Sequence, residues 1–126
     1  MNEKLYHIDV VIVIDLSQED IDDIMCTALE GGITYWCKEA EVAGDYLGTY
    51  GSEQISRNGI LKLHDNDEDK IYELTLEKFL KGLELFIIKN PNRINIENGR
   101  IDPGEIDAQY ADMIIQYALF GEIVYG

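Results

Sequence analysis

ILKLHDNDEDKIYELT, residues 60–75, is the stretch that decides the fold of this chain. Two strand-like runs, ILKLH and KIYELT, flank the polar sequence DNDED. Two such runs joined by a short polar turn predict a β-hairpin over residues 60–74. A hairpin pairs its strands antiparallel, so the sheet of this protein is expected to be largely antiparallel.

The turn of this hairpin also has a partial calcium-loop pattern. Asp65, Asp67 and Asp69 occupy the first, third and fifth positions of an EF-hand loop. Lys70 stands where that loop needs glycine, and Leu76 stands where it needs a bidentate glutamate. The flanking segments have strand character rather than helix character, so a solvated hairpin turn is the favoured interpretation.

Three segments have the pattern of amphipathic helices. The first follows a capping box at Ser17 and ends at Gly31–Gly32. The second follows Thr75 and ends before Pro91. The third is expected to begin at the sequence DPGE, with Asp102 as its N-cap.

Four further segments have strand character. Residues 5–16, LYHIDVVIVIDL, alternate with a period of two and are rich in β-branched side chains. Residues 33–42, ITYWCKEAEV, alternate as well, with a continued helix as the alternative. Ile94 and Ile96 suit a short strand, and EIVYG, residues 122–126, can add a last one.

This order of elements predicts an α+β fold. Hairpins mixed with helices favour a largely antiparallel sheet with about three helices on one face. The length of 126 residues fits a single domain, so residues 1–126 are interpreted as one α+β ligand-binding domain.

The charge of the chain excludes several classes of partner. The formal net charge is −15, with 10 Lys and Arg against 25 Asp and Glu. Duplex nucleic acids and anionic membranes are bound through basic surfaces, which this composition does not provide. The apolar run Val10–Ile14 is too short for a signal peptide or a membrane span. Two cysteines do not form a disulfide framework, which indicates an intracellular protein with reduced thiols.

No catalytic or metal-binding motif is present in the sequence. Cys26, Cys37, His7 and His64 lack the paired spacing of a zinc site. The chain contains no GxSxG, GxGxxG or Walker sequence. Carboxylates are so numerous that no pair of them is distinctive. We therefore predict no catalytic residue, no metal and no cofactor.

The arginines are scarcer and more informative. The chain has three, Arg57, Arg93 and Arg100, each in a Gly-, Asn- or Ser-rich segment. A guanidinium binds phosphate oxygens in a bidentate way, asparagines can pair with an adenine edge, and aromatic rings can stack on a base. A nucleotide pocket is one interpretation. The other is that loop arginines pair with the abundant surface carboxylates, at about 0–1 kcal/mol each.

Four stretches of the sequence resemble a known family: TALEGGITYWC, GDYLGTYGSEQISRNGILKLHD, YELTLEKFLKG and IDAQYADMIIQYALFGEIVYG. They are similar to small prophage proteins, the phage anti-Thoeris sponges of the first type. The likeness covers roughly residues 20–90 and 102–126.

The resemblance implies a function without chemistry. Proteins of that family are not enzymes. They bind a cyclic ADP-ribose isomer made by TIR-domain proteins and hold it unchanged, so that the defence effector of the bacterial host is not triggered. Some also hold cyclic oligonucleotides at a separate site. They form dimers or higher homo-oligomers with pockets near subunit boundaries, and act in the cytoplasm of the infected bacterium.

The implied ligand contains a pyrophosphate, two riboses and an adenine. With that ligand, Arg57 is expected to bind the phosphates, helped by Ser56 and Gly59 of its turn, and Trp36 to stack on the base. The second loop is expected to add three residues, contributed across a subunit boundary: Asn92, Arg93 and Arg100.

Two other functions compete with this one. The first is an acidic inhibitor that binds a host defence protein directly, as an anti-CRISPR protein or a DNA mimic does. It predicts that the acidic helix 18–30 and the turn 65–69 carry the function, and that Arg57 does not. The second is an enzyme that cleaves the nucleotide signal, which the absence of catalytic motifs disfavours.

Overall fold

The computed structural model describes residues 2–67 and 69–126. Its elements follow the order α1, β1, β2, β3, α2, β4, β5, α3. The helices are α1 (Gln18–Thr27), α2 (Leu76–Lys89) and α3 (Ala108–Phe120), and the strands are β1 (Cys37–Ala43), β2 (Ile60–Asp65), β3 (Ile71–Leu74), β4 (Ile96–Glu97) and β5 (Arg100–Ile101). Short 3-10 turns cover Gly51–Glu53 and Pro103–Glu105.

The predicted hairpin is confirmed and forms the centre of the sheet. β2 pairs antiparallel with β3 on one side and with β1 on the other, in the order β1-β2-β3. Leu63 of β2 lies opposite Ala40 of β1 and Tyr72 of β3. Leu61 and Leu63 are fully buried while their neighbours along β2 are half-buried. One face of the sheet therefore covers the core, as the period of two predicts.

Two helices pack closely against each other beside this sheet. A Cβ added at Gly82 of α2 would lie 2.5 Å from the carbonyl oxygen of Ile114 in α3. Only a residue without a side chain allows that approach of two helix backbones. Phe79 and Phe86 of α2 are fully buried, as are Ile114 and Ile115 of α3. The described residues form an α+β fold with three α-helices and antiparallel sheets, as the sequence predicts.

The first helix begins and ends as predicted. The Ser17 side chain accepts a hydrogen bond from the Asp20 backbone N–H, and the Asp20 carboxylate accepts one from the Ser17 N–H. Beyond Thr27 the helix widens into a π-helical turn that ends at Gly32. A Cβ at Gly32 would lie 2.8 Å from the carbonyl oxygen of Ala108, so this glycine permits α1 to meet the start of α3.

Four predictions about individual elements were wrong. Residues 5–16 and 122–126 form no strand, because neither segment has a neighbouring strand to pair with in the described chain. The strand expected from residue 33 begins only at Cys37, since residues 33–36 form a turn. The DPGE sequence makes a 3-10 turn, and α3 begins at Ala108 with Asp107 as its N-cap.

Candidate functional site

The arginine of the first loop is bound by the chain itself. Arg57 Nη1 donates to the Asp22 carboxylate at 3.4 Å, to the Glu53 carbonyl at 3.1 Å and to the Ser56 hydroxyl at 3.3 Å. Asp22 lies on α1, so this contact fastens the loop to the helix. The arrangement is the alternative left open by the sequence, in which a loop arginine pairs with a carboxylate.

The turn around Arg57 is closed by its own hydrogen bonds. The Ser56 hydroxyl donates to Asp22 at 2.5 Å. The N–H of Gly59 donates to the Gln54 carbonyl at 2.9 Å, and a Cβ at Gly59 would meet the Gln54 side chain at 2.4 Å. Gly59 is buried against Gln54. Its N–H is therefore not free to bind an anion, contrary to the sequence-based expectation of an anion-binding turn.

The single tryptophan is part of the core. Trp36 is 3% exposed, and its ring stacks on Tyr125 with 4.8 Å between centroids and 5° between planes. Tyr72 and Phe120 pack against it at 6.3 and 6.4 Å. The face expected to stack on a ligand base is thus covered by Tyr125, which belongs to the C-terminal tail, residues 121–126.

A buried polar cluster holds this tail in place. Asp112 of α3 accepts hydrogen bonds from Trp36 Nε1 at 2.8 Å, from the Tyr35 hydroxyl at 2.7 Å and from Gln116 Nε2 at 3.0 Å. Gln116 Oε1 accepts from the backbone N–H groups of Val124 and Tyr125. Burial and the adjacent Asp112 carboxylate raise the pKa of Tyr35 to about 12.

The hydroxyl of the tail tyrosine binds a second buried carboxylate. Tyr125 donates to Asp65, which also accepts from Tyr72 at 3.3 Å and from the Asp67 backbone N–H at 2.9 Å. Burial by itself raises the pKa of Asp65, but these hydrogen bonds to the charged form outweigh it and leave the pKa lowered. Burial and Asp65 raise the pKa of Tyr125. Asp65 therefore has a structural role in the described chain.

Two of the second-loop residues, Asn92 and Arg93, lie outside the cleft that is described below. The guanidinium of Arg93 lies over the ring of Tyr110, 5.5 Å from its centroid, which is a cation–π contact. Its backbone N–H donates to the Asn90 carbonyl. Asn92 is exposed beside it.

The remaining arginine lines a polar cleft. β4 and β5 form a β-hairpin with a two-residue loop, Asn98-Gly99. Both loop residues have a positive φ, as a type I′ turn requires. The register places Arg100 opposite Glu97. Arg100 Nη2 binds the Asp20 carboxylate of α1 at 3.0 Å, and the side chain stays 54% exposed. Burial raises the pKa of Asp20, but the hydrogen bonds from the Ser17 N–H and from Arg100 outweigh burial and leave this pKa lowered.

We call this cleft the Arg100 cleft. Its volume is about 380 Å³, which lies in the range of small-molecule sites. It is lined by Asn95, Glu97, Asn98, Arg100, Ile101, Asp102 and Glu105.

Two of the carboxylates in the Arg100 cleft are fixed by the backbone. Glu105 accepts from both the N–H and the side-chain amide of Asn95, at 2.9 and 3.2 Å. Asp102 accepts from the Gly104 N–H at 2.9 Å. Fixed carboxylates accept hydrogen bonds from hydroxyl groups, and an exposed guanidinium donates to phosphate. The cleft therefore combines acceptors suited to ribose hydroxyls with one cation suited to a phosphate.

Sequence reasoning found Arg100 but not the carboxylates beside it. Asn98-Gly99 between two isoleucines, Ile96 and Ile101, is a strong hairpin signal that would have placed Glu97 and Arg100 side by side. No comparable signal identifies Glu105, because its bond to Asn95 joins residues that are ten positions apart.

Within residues 2–67 and 69–126, no group of three or more His, Cys, Asp and Glu side chains could hold a metal ion. Over the same residues, no helix has the length and apolar character needed to cross a bilayer. Comparisons with protein-family models, with curated proteins and with solved structures found no match to this chain.

Proposed function

We propose that this protein is a phage-encoded anti-defence protein that binds a cyclic ADP-ribose-type nucleotide and sequesters it without degrading it. The observation that supports the proposal best is the Arg100 cleft, where a half-exposed guanidinium lies among fixed hydrogen-bond acceptors. The resemblance of the sequence to anti-Thoeris sponges supplies the class of ligand.

The chemistry of the Arg100 cleft suits binding. A pyrophosphate would bind the outward side of Arg100, whose inward side is held by Asp20. Ribose hydroxyls would donate to Glu105 and Asp102, whose positions the backbone fixes. Preorganised groups lose little conformational freedom on binding, which favours affinity. Sequestration needs this affinity alone and no proton transfer.

The chemistry of the histidines is consistent with a non-catalytic role. His64 lies on β2 and contacts Glu41 at 2.9 Å. It does not line the Arg100 cleft. The proposal therefore assigns His64 no role in the Arg100 cleft.

The competing function, direct inhibition of a host protein through acidic side chains, has less support. Asp20 binds Arg100, Asp22 binds Arg57, and Asp65 binds Tyr125. These acids of the first helix and the hairpin turn are used inside the chain. They are therefore less available to imitate the phosphates of DNA.

The test is isothermal titration of the protein with cyclic ADP-ribose isomers. Arg100→Ala is expected to weaken binding about tenfold or more, since a hydrogen bond to a charged group contributes roughly 1.5–3 kcal/mol. Arg93→Ala removes the same charge outside the cleft and serves as the matched control, with affinity expected to change less than about twofold. A thermal melt of each variant checks that the fold is intact.

Two results would contradict the proposal. One is the absence of heat with every isomer from folded wild-type protein. The other is an equal loss of affinity in both arginine variants, which would assign the effect to net charge. Chromatography of the released ligand separates a sponge, which returns it intact, from an enzyme, which alters it.

A further inference from the structure

The most unusual surface of the molecule is its N-terminal arm, residues 5–16. It forms neither helix nor strand, although its sequence alternates as a strand does. Seven large apolar side chains between residues 5 and 13 are 63–93% exposed: Leu5, Tyr6, Ile8, Val10, Val11, Ile12 and Val13. Monomeric proteins rarely expose so many contiguous apolar side chains, and such a patch marks an interaction surface.

The arm lies on α2 without filling the space beneath it. The arm lines an apolar cavity of about 640 Å³ with Val10, Ile12, Ile14 and Leu16, which share one face of the alternating sequence, and with Val13 of the other face. Its other wall is formed by Pro91 and by five residues of α2: Leu80, Leu83, Glu84, Ile87 and Ile88. This cavity is open to solvent, so its apolar walls are left uncovered in a single copy.

The backbone hydrogen bonding of the arm is also incomplete. Within the described residues, its one backbone–backbone hydrogen bond runs from the Asp15 N–H to the Gly99 carbonyl, at 2.8 Å. The N–H and C=O groups of successive strand residues point to opposite edges. The edge opposite Gly99 therefore offers a row of unpaired groups, to which another strand can add.

We propose that the N-terminal arms of two copies of this chain pair as antiparallel strands about a twofold axis at Val11. This register places Tyr6 opposite Leu16, Ile8 opposite Ile14 and Val10 opposite Ile12, so that one face of the pair is wholly apolar. On the other face, His7 lies opposite Asp15.

Charge disfavours two neighbouring registers, and the axis at Val11 is the one that also pairs His7 with Asp15. An axis at residue 9 would place Asp9 opposite its own copy, and an axis at residue 12 would place Asp9 opposite Asp15. Like charges directly opposite each other on a sheet are destabilising. The axis at Val11 avoids both pairs and keeps the apolar face continuous.

The area available matches that of a dimer. Burying one large apolar side chain removes on the order of 100 Å² from water. The seven exposed side chains of each arm, at about three-quarters exposure, provide roughly 500 Å², and two arms provide about 1,000 Å². This is an upper limit for the arms alone and is close to the roughly 1,000 Å² that a biological interface should clear, before the cavity over α2 contributes. A twofold pairing is closed, which limits the assembly to two copies.

The first experiment measures the mass of the protein in solution by light scattering at micromolar concentration. The wild type is expected at twice the chain mass of 14.4 kDa, and Val11→Lys at the mass of one chain. Val11 is 93% exposed, so the substitution disturbs nothing within one copy. It is expected to raise the dissociation constant roughly tenfold or more, because two lysines would meet at the axis. Val124→Lys, at another exposed valine, is the matched control and should remain dimeric.

The second experiment tests the register by disulfide formation. Val11→Cys is expected to cross-link two copies under mild oxidation, because opposite residues of a non-hydrogen-bonded pair lie about 4.5 Å apart at Cα, within disulfide range. The two copies of Val13 would lie about 13 Å apart, so Val13→Cys is expected to remain uncross-linked. The wild type, with Cys26 and buried Cys37, provides the background.

A wild-type mass of one chain would overturn the pairing, and so would a dimer that survives Val11→Lys. Cross-linking of Val13→Cys as efficient as that of Val11→Cys would overturn the register. Neither experiment contains a nucleotide, so their failure is distinguishable from failure of the proposed function.

Discussion

The sharpest test of the fold is the replacement of Asp112 by alanine and, separately, by asparagine. Three donors from different parts of the chain meet at this carboxylate: Trp36 Nε1, the Tyr35 hydroxyl and Gln116 Nε2. Alanine removes every acceptor. Asparagine keeps a carbonyl oxygen and adds an amide donor. The two variants separate the need for an acceptor from the need for a charge.

The magnitude follows from the burial of each donor. The Trp36 N–H is buried and would lose its acceptor, which costs about 1–3 kcal/mol. Tyr35 is half exposed, so water can replace its bond, and Gln116 retains the Tyr125 carbonyl at 3.3 Å. Adding about 1.5–3 kcal/mol for the lost hydrogen bond to a charged group, Asp112→Ala should cost about 2.5–6 kcal/mol. Asp112→Asn should cost about 1 kcal/mol, because its carbonyl still accepts from the indole.

The assay is urea unfolding followed by the fluorescence of the only tryptophan, which lies inside the cluster. The midpoints of the two variants are compared at unchanged slope, and circular dichroism checks that both begin folded. Equal losses in the two variants would show that charge, and not the acceptor, matters. A loss below about 1 kcal/mol for alanine would refute the argument from the buried indole.

Two further predictions concern stability. Hydrogen bonds from Tyr125 and its neighbours outweigh burial and hold the pKa of Asp65 below its usual value near 3.9, so its contribution is present above about pH 4 and is lost as the pH falls through the lowered pKa. Asp65→Asn should therefore lose less stability between about pH 5 and pH 2 than the wild type does, as measured by urea midpoints. Gly82→Ala should destabilise the fold by about 1–3 kcal/mol despite better helix propensity, because its Cβ would lie 2.5 Å from the Ile114 carbonyl. Gly51→Ala, with its nearest contact at 3.7 Å, should be nearly neutral in the same thermal melts.

The helices and the central hairpin were predictable because their signals are local. The capping box at Ser17 and the N-cap at Thr75 both form within four residues. The alternation of buried residues along β2 follows from the period of two alone. Such features need no information about distant parts of the chain.

The start of α3 shows where local signals compete. Asp102 and Asp107 both have capping side chains, to Gly104 and Tyr110 respectively. Ile106 between them has φ −93° and ψ 98°, an extended conformation that interrupts the helix. Ile106 is buried, so tertiary packing is what selects the second cap. Sequence propensity cannot choose between two adequate caps.

The strand predicted over residues 5–16 failed for a different reason. Periodicity identifies which side chains share a face, but it does not identify a pairing partner. Within the described chain, the arm makes one backbone–backbone hydrogen bond, at Asp15. The sequence pattern is strong and the partner is missing, which is why the arm is better understood as half of an interface.

The aromatic prediction failed because its contact is remote in sequence. Trp36 was expected to stack on a base, and its ring does stack on a flat surface, that of Tyr125. Nothing in the residues near Trp36 distinguishes a ligand from the chain's own C-terminal tail. The distinguishing contacts are those of Asp65 and Gln116, which hold the tail from two different elements.

The arginines show how far scarcity can guide the search for a site. Both Arg57 and Arg100 bind an aspartate of α1, and in such an acidic chain the sequence could not specify which one. What separates them is exposure, because in each the chain binds a single guanidinium nitrogen. Arg57 makes three hydrogen bonds through Nη1 and is 28% exposed, whereas Arg100 makes one through Nη2 and is 54% exposed. A phosphate can bind only donors that remain accessible, so Arg100 is the better candidate for the ligand and Arg57 the better candidate for a role in stability.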